Sequence, residues 1–193
     1  MKSVSKDEYT LRERLQQGPL DFRDVVGIID GVFEEIATAH AFGLVHRGLA
    51  PELVILHHAA DRLRARVADP PRLQRKVEVE PDLTAFGFTL GAFQCMAPEV
   101  VRGSMNVDQR ADVYAVGAVA FYALTRRFPF EGTNALVLIA TKMEGPVPTL
   151  ESICNRPFSP LLELFVATAM ARDRARRYPR IEVARAAWRE ATR

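Results

Sequence analysis

The most constraining feature of this sequence is the stretch from Ala111 to Leu124, in which Asp112 is the only charged side chain. A helix that is apolar nearly all round is buried on every side. The stretch therefore predicts a central helix over residues 109–126, around which the rest of the chain packs. Burying an unpaired carboxylate is costly, so we expect hydrogen-bond donors from elsewhere in the chain to face Asp112.

The remaining pattern predicts a mainly helical fold. Apolar side chains recur at three- and four-residue spacing over residues 21–42, as in an amphipathic helix. Two short apolar runs, at residues 53–58 and 63–68, predict a small β-hairpin. Residues 69–96 show no period and predict a long loop. Three more helices are predicted over residues 133–144, 160–171 and 180–192.

Composition describes an ordinary soluble domain. The 193 residues are 48% hydrophobic and 26% charged, with a net charge of +2. This near-neutral balance argues against a nucleic-acid partner. The two cysteines, Cys95 and Cys154, have no metal-ligand spacing, and we expect no metal and no cofactor. No signal peptide or membrane-length apolar run is visible, so we expect a cytoplasmic protein without a membrane partner.

Three segments, in order, resemble motifs of one family. Residues 46–53 read HRGLAPEL and are similar to the catalytic-loop pattern H-R-D-L-K-P-x-N. Residues 91–99 read GAFQCMAPE and are similar to G-T-P-x-Y-M-A-P-E. Residues 110–117 and 124–132 read RADVYAVG and LTRRFPFEG, similar to D-V-Y-S-L-G and T-G-x-x-P-F-x-G. The chain thus resembles the C-terminal lobe (C-lobe) of bacterial-type Ser/Thr protein kinases, in a degenerate, pseudokinase-like form.

The resemblance implies a protein kinase-like C-lobe: a helical bundle around a buried central helix with a small β-hairpin. It places a lead-in at the hinge position in residues 1–10 and a single C-lobe domain in residues 11–193, with an activation-segment-like loop at residues 69–96. The sequence contains neither the Gly-rich G-x-G-x-x-G loop nor the V-A-I-K lysine that grip ATP in the N-terminal lobe (N-lobe). We therefore expect the N-lobe to be absent and ATP–Mg not to bind.

The family's catalytic side chains are replaced. The positions of the loop Asp, Lys and Asn and of the activation-segment Thr are held by Gly48, Ala50, Leu53 and Ala92. None of these can orient a hydroxyl, neutralise phosphate charge or bind Mg²⁺. We therefore expect that the chain is not an enzyme and has no catalytic residue.

Three hypotheses about function follow. The first is a catalytically inactive, pseudokinase-like regulatory module that binds a protein in phosphosignalling. The alternative is the C-lobe of a divergent Ser/Thr protein kinase, an ATP-dependent phosphotransferase, whose N-lobe is on another chain or removed. A third is a structural unit that self-associates through the surface which an N-lobe covers in kinases.

Two alignments of the D-F-G motif are open. Ala85-Phe86-Gly87 matches it with the Asp lost, whereas Asp69 directly follows the second predicted strand, as the motif does in the family. We favour Asp69, which keeps the metal-binding carboxylate and loses the Phe and Gly.

The residues that build the fold in kinases are retained, by contrast. The resemblance implies that Asp112 accepts backbone N–H groups from the His46–Arg47 turn and that Glu99 pairs with Arg177. His46 is then a packed core histidine, and Arg47 either bonds backbone carbonyls or meets a phosphate on the loop. Thr84 matches a position that is commonly phosphorylated in the family.

We also expect a partner surface on the face that the N-lobe covers. Apolar residues are placed there by the alignment, and a large apolar patch rarely stays in water. The expected partner is a signalling protein or a second copy of the chain. The residues of this expected surface are Leu49, Leu53, Val54, Phe86 and Phe88.

Overall fold

The computed structural model of the protein describes residues 8–59, 62–69, 90–104, 106–132 and 135–193. The possible phosphosite Thr84, the alternative D-F-G position Ala85, and Phe86 and Phe88 lie outside the described residues.

Helices make up most of the described chain. The central helix is α5, Arg110–Thr125, which confirms the prediction for residues 109–126 to within one residue at each end. The amphipathic helix predicted over residues 21–42 is α2, Phe22–Ala41. The other α-helices are α1 (Leu11–Gln17), α3 (Leu90–Cys95), α4 (Pro98–Val101), α6 (Ala135–Glu144), α7 (Leu150–Cys154), α8 (Pro160–Ala169) and α9 (Ile181–Ala191). A 3₁₀ turn, Arg174–Arg176, precedes α9.

A three-stranded antiparallel sheet lies beside α2. Strands β2 (Val54–Ala59) and β3 (Arg62–Val67) form the predicted hairpin, with Val54 opposite Val67. A two-residue strand, β1 (Tyr9–Thr10), adds to the other edge of β2. Two residues cannot show a period-two pattern, which is why the sequence did not predict β1.

The predicted loop over residues 69–96 is wrong at its C-terminal end. Helix α3 occupies Leu90–Cys95, and α4 follows directly after it. Both helices are shorter than two full turns, so neither shows helical periodicity in the sequence. Tertiary contacts decide their conformation, since isolated helices of this length are unstable in water.

The core surrounds α5 on all sides. Thirteen consecutive residues of this helix, from Ala111 to Ala123, are buried. Helices α2, α8 and α9 pack round it, and α9 adds Trp188, whose ring meets that of Phe165 at 5.2 Å between centroids. Of the helices described, none is both long enough and apolar enough to cross a membrane.

Helix α5 approaches α8 closely because it has a glycine at the contact. A Cβ atom added at Gly117 would lie 2.8 Å from the Cβ of Ala169 and 3.0 Å from Cγ of Met170. Both distances are too short for carbon atoms, so a side chain at this position forces the two helices apart.

We therefore predict that Gly117→Ala destabilises the protein by about 1–3 kcal/mol through overpacking. Gly27→Ala is the matched control, because Gly27 is helical and nothing lies within 4 Å of an added Cβ atom. In the control the higher helix propensity of Ala is expected to stabilise the protein by up to about 1 kcal/mol. Urea denaturation followed by circular dichroism measures both variants, and equal effects of the two would contradict the close packing.

Candidate functional site

The loop between α2 and β2 is anchored on Asp112 in the first turn of α5. The Asp112 carboxylate is fully buried, and its two oxygens accept the backbone N–H groups of His46 at 2.8 Å and Arg47 at 2.7 Å. The structure thus brings together the carboxylate and the turn that the resemblance implied. These two N–H groups are the donors that a buried carboxylate requires.

Arg47 has an unusual backbone conformation. Its φ is +62°, in the left-handed region that residues other than glycine rarely adopt. Such a conformation costs on the order of 1–3 kcal/mol and persists where the surroundings enforce it. Here the bonds to Asp112 on one side and from Gly48 N–H to the His46 carbonyl oxygen, at 2.8 Å, on the other enforce the turn. The Arg47 side chain itself is exposed.

A third donor to Asp112 was missed by the sequence analysis. His40, at the end of α2, donates from Nε2 to Oδ2 of Asp112 at 2.8 Å. It ties α2 directly to α5 beside the loop. The only signal in the sequence is a histidine six residues before His46, and spacing alone does not show that the chain turns back there.

His46 links the loop to the hairpin. Its ring nitrogen Nε2 lies 3.1 Å from the carbonyl oxygen of Ala68, just beyond β3, and the side chain is buried. The carbonyl oxygen only accepts, so Nε2 carries the proton and donates. This contact gives His46 a structural role.

The positions where kinases have polar catalytic groups form an apolar contact. Ala50, from the loop, packs with Ala92 and Met96, from α3 and the turn after it, and all three are buried. Gly48 is buried as well, and Leu53 is half-buried. The loop and α3 are therefore held together by apolar packing at the place where the family pattern has Lys and Thr.

Carboxylates are present within the loop, at Glu52, and just beyond the hairpin, at Asp69. Asp69 is exposed two residues beyond β3, so its side chain faces water. Glu52 is half-buried and forms an ion pair through Oε1 with Arg12 of α1, while its Oε2 has no hydrogen-bond partner in the described part of the chain. The N–H of Arg12 also donates to the Pro51 carbonyl oxygen at 3.3 Å, which fixes α1 against the loop.

A buried ion pair holds the segment that follows α3. Arg177 donates to both oxygens of Glu99, at 2.6 and 2.8 Å, and its side chain is fully buried. Its guanidinium group also donates to the carbonyl oxygens of Ala171, Arg110 and Arg172. The pair thus joins α4 to the chain ahead of α9 and to the start of α5.

The prediction of an apolar partner surface is wrong for two of its residues, because they are not at the surface. Leu49 and Val54 are fully buried in the main core. The chain enters β2 here, and the sheet packs on α2, so both side chains belong to the interior. Only Leu53, of the described members, is partly exposed, and self-association through this face stays a prediction.

The fold and the site define the C-lobe of a protein kinase: a loop anchored on a buried Asp, a helical segment clamped by Glu99 and Arg177, and a small sheet. A family model described as "Protein kinase domain" matches residues 1–188. The chain belongs to the protein kinase domain family, in its bacterial Ser/Thr form.

Two curated relatives show the similarity in sequence. The "Serine/threonine-protein kinase PknL" of Mycobacterium tuberculosis is 35% identical over 170 residues, which are 88% of this chain and 41% of that protein. The "Serine/threonine-protein kinase pkn3" of Myxococcus xanthus is 31% identical over 167 residues, 84% of this chain and 30% of that protein. This chain therefore spans less than half the length of either relative.

Solved structures show the same fold. The crystal structure of the Mycobacterium tuberculosis PknI kinase domain has a TM-score of 0.67 at 23% identity, covering 96% of this chain and 63% of that one. A single-substitution mutant of the same domain has a TM-score of 0.68. These matches confirm the predicted fold class.

The expectation that the chain is not an enzyme is contradicted by these comparisons. It rested on the substitutions at Gly48, Ala50 and Leu53, whereas the family match and relatives named Ser/Thr protein kinases point to a kinase. The family is shown by the match over residues 1–188 as a whole and not by single side chains.

We predict that Asp112→Ala destabilises the protein strongly. Three donors lose their acceptor, at about 1–3 kcal/mol for each buried group left unpaired. Asp108→Ala is the matched control: Asp108 pairs with Arg110 near the surface, where an ion pair contributes up to about 1 kcal/mol. Chemical denaturation compares the two, and an Asp112→Ala variant as stable as the control would refute the anchor.

The Glu99–Arg177 pair is tested by a double-mutant cycle with Glu99→Gln and Arg177→Met. Because the Arg177 side chain is fully buried, we predict a coupling energy above the roughly 0–1 kcal/mol of exposed pairs. The Glu8–Arg66 pair, in which the Arg side chain is 35% exposed, serves as the reference. Additive effects at Glu99 and Arg177 would show that the pair contributes nothing beyond its separate members.

Proposed function

We propose that this chain is the C-lobe of a Ser/Thr protein kinase, an ATP-dependent phosphotransferase, and that it holds the protein segment whose hydroxyl group accepts the phosphoryl group. The observation that carries the proposal is the anchoring of two segments on one helix. The loop at residues 46–53 is bonded to Asp112, and residues 93–99 are clamped through Glu99 and Arg177. In protein kinases these two segments border the place of phosphoryl transfer.

The relatives' names support the chemical class. PknL and pkn3 are both named serine/threonine-protein kinases, so the acceptor proposed for this chain is a serine or threonine hydroxyl. The partner class is correspondingly a protein that presents such a residue in an extended segment. In this proposal the groups that grip ATP come from an N-lobe that is not among these 193 residues.

The residues present do not fit the two magnesium ions of the family pattern. Asp69 offers one exposed carboxylate, a suitable ligand for a hard cation. Leu53, at the position of the second metal ligand, offers no oxygen atom in its side chain. We derive no step through metal ions, and the expectation that this chain alone does not bind ATP–Mg stays a prediction.

The contribution of the chain to the reaction is positioning. Phosphoryl transfer needs little covalent chemistry from the protein and depends on alignment and electrostatic stabilisation. With Gly48 in the place of the carboxylate that orients the attacking hydroxyl, orientation falls to the fixed main chain of the loop and of residues 93–99. A carboxylate restored at position 48 is expected to add the missing electrostatic contribution.

The test joins the full chain to the N-lobe of the mycobacterial relative PknL and measures transfer of radiolabelled γ-phosphate to a library of Ser/Thr peptides. We predict transfer to Ser and Thr but not to Tyr peptides. Gly48→Asp is expected to make the transfer about 10²–10⁴-fold faster, the typical contribution of one positioned proton acceptor.

PknL with its own C-lobe is the positive control for the N-lobe. If that control is active and the Gly48→Asp fusion transfers nothing, the proposed function is wrong.

A further inference from the structure

Lys142 is a buried cation in an unusual setting. It lies on α6, is only 2% exposed, and points its ammonium group at the main chain of α3 and of the turn after it. Its Nζ lies 2.6 Å from the carbonyl oxygen of Phe93, 3.0 Å from that of Gln94 and 2.6 Å from that of Met96. Nothing in the sequence indicates this contact, because Lys142 and Phe93 are 49 residues apart along the chain.

The number of acceptors identifies the charge state. A protonated lysine has three N–H donors, so it satisfies three carbonyl oxygens at once. A neutral amine has two donors and a lone pair, and the lone pair would face a carbonyl oxygen. The three short contacts are therefore compatible with the charged form alone, and removal of the proton breaks at least one of them.

The positive charge of Lys142 is stabilised by the dipoles of the three carbonyl groups and by the aromatic ring of Tyr114. No carboxylate in the described ranges forms an ion pair with Lys142; Glu99, the acidic group on α4, is bonded to Arg177. On α3, Cys95 faces Lys142, and burial raises the pKa of its thiol to about 12. On α5, Tyr114 faces Lys142, with its ring centroid 5.5 Å from Nζ. Burial also raises the pKa of its phenol. Both groups are neutral at pH 7.

Burial acts against the charged form, whereas the three carbonyl oxygens favour it. Burial lowers the pKa of Lys142 from 10.5 to about 7, since the charged form loses its hydration. A partly open cavity of about 180 Å³ adjoins the Lys142 residue. Arg172 also lines the cavity and is the other charged residue of that lining.

The three carbonyl groups belong to the chain directly before Ala97-Pro98-Glu99. Arg177, which holds Glu99, lies over the same Tyr114 ring at 4.9 Å. Residues 93–99 are thus held at one end by the ammonium group of Lys142 and at the other by the guanidinium of Arg177, with one aromatic ring of α5 contacting both cations. The guanidinium of Arg177 is always charged, whereas the amine of Lys142 is not.

We propose that Lys142 is a positioning residue for the acceptor-binding segment: its ammonium group fixes the main chain of residues 93–96, and loss of its proton releases that main chain. The consequence for acceptor binding rests on the proposed function. The fixing and release of the segment do not, so they are measured on the chain alone.

The first experiment is an NMR titration of the full chain between pH 5.5 and 9.5, with lysine labelled at Cε. The sequence has four lysines, Lys2, Lys6, Lys76 and Lys142, so the Lys142 signal is assigned from its loss in Lys142→Arg. We expect it to titrate near pH 7 and the amide signals of Phe93–Met96 to shift with the same midpoint. Titration near the ordinary value of about 10.4, with these amides unmoved, would overturn the proposal.

The second experiment compares Lys142→Met, which keeps the length and removes the donors, with Glu144→Gln, a change of charge on the same helix. Hydrogen-exchange protection of residues 93–96 at pH 6 is expected to fall at least tenfold in Lys142→Met and to stay unchanged in Glu144→Gln. Wild-type protection at pH 8.5 should approach that of Lys142→Met. Equal protection at both pH values in the wild type would count against release, even if Lys142→Met fails to fold.

The pH dependence of the free energy of unfolding provides an independent check that the pKa of Lys142 is lowered in the folded chain. The folded-state pKa lies below the unfolded one, so the folded chain binds fewer protons between about pH 7 and pH 10.4, and the free energy of unfolding rises with pH there. Lys142→Met is expected to lack this slope.

In the fusion with the N-lobe, the same variant should raise KM for the acceptor peptide several-fold with little change in kcat. If the segment is released but KM is unchanged, the positioning role is refuted while the proposed function stays intact.

Discussion

The hydrogen bonds to the Asp112 carboxylate are the interaction on which the functional face of this protein depends. A single acidic group in an otherwise apolar helix accepts from His40 and from two successive amides of the loop. Because the carboxylate is buried, each donor that meets it is fixed in direction as well as in distance. The left-handed turn at Arg47 depends on that group together with the bond from Gly48 N–H to the His46 carbonyl oxygen.

Helix α5 is therefore more than the centre of the core. Its buried Tyr114 ring contacts two cations, Arg177 and Lys142, each of which holds part of residues 93–99. Asp112 bonds the loop directly, and Tyr114, two residues further along the same helix, contacts the two cations that hold residues 93–99. A rigid element that holds both segments is what the proposed positioning of an acceptor requires.

The protein keeps these anchors while changing the chemistry between them. Where the family pattern has Lys and Thr, Ala50 and Ala92 pack with Met96, so an apolar contact replaces a polar one. The substitutions suggested a chain that is not an enzyme, and its relatives, named protein kinases, overturn that conclusion. The family is shown by the similarity of the chain as a whole.

Helices α2 and α5 and the hairpin could be predicted from the residues alone, because periodicity and an isolated charge are local information. The backbone partners of Asp112 and the pairing of Glu99 with Arg177 were implied by the resemblance of the motifs to the kinase family. Other features depend on how the chain folds back on itself. Helix α3 is too short to show a period, His40 finds its acceptor only when the chain turns back, and Leu49 and Val54 lie inside because the sheet packs on α2. Lys142 contacts carbonyl groups 46 to 49 residues away along the chain. Because every residue has a backbone carbonyl group, residue types do not indicate which of them a buried cation contacts, and only the folded chain shows it.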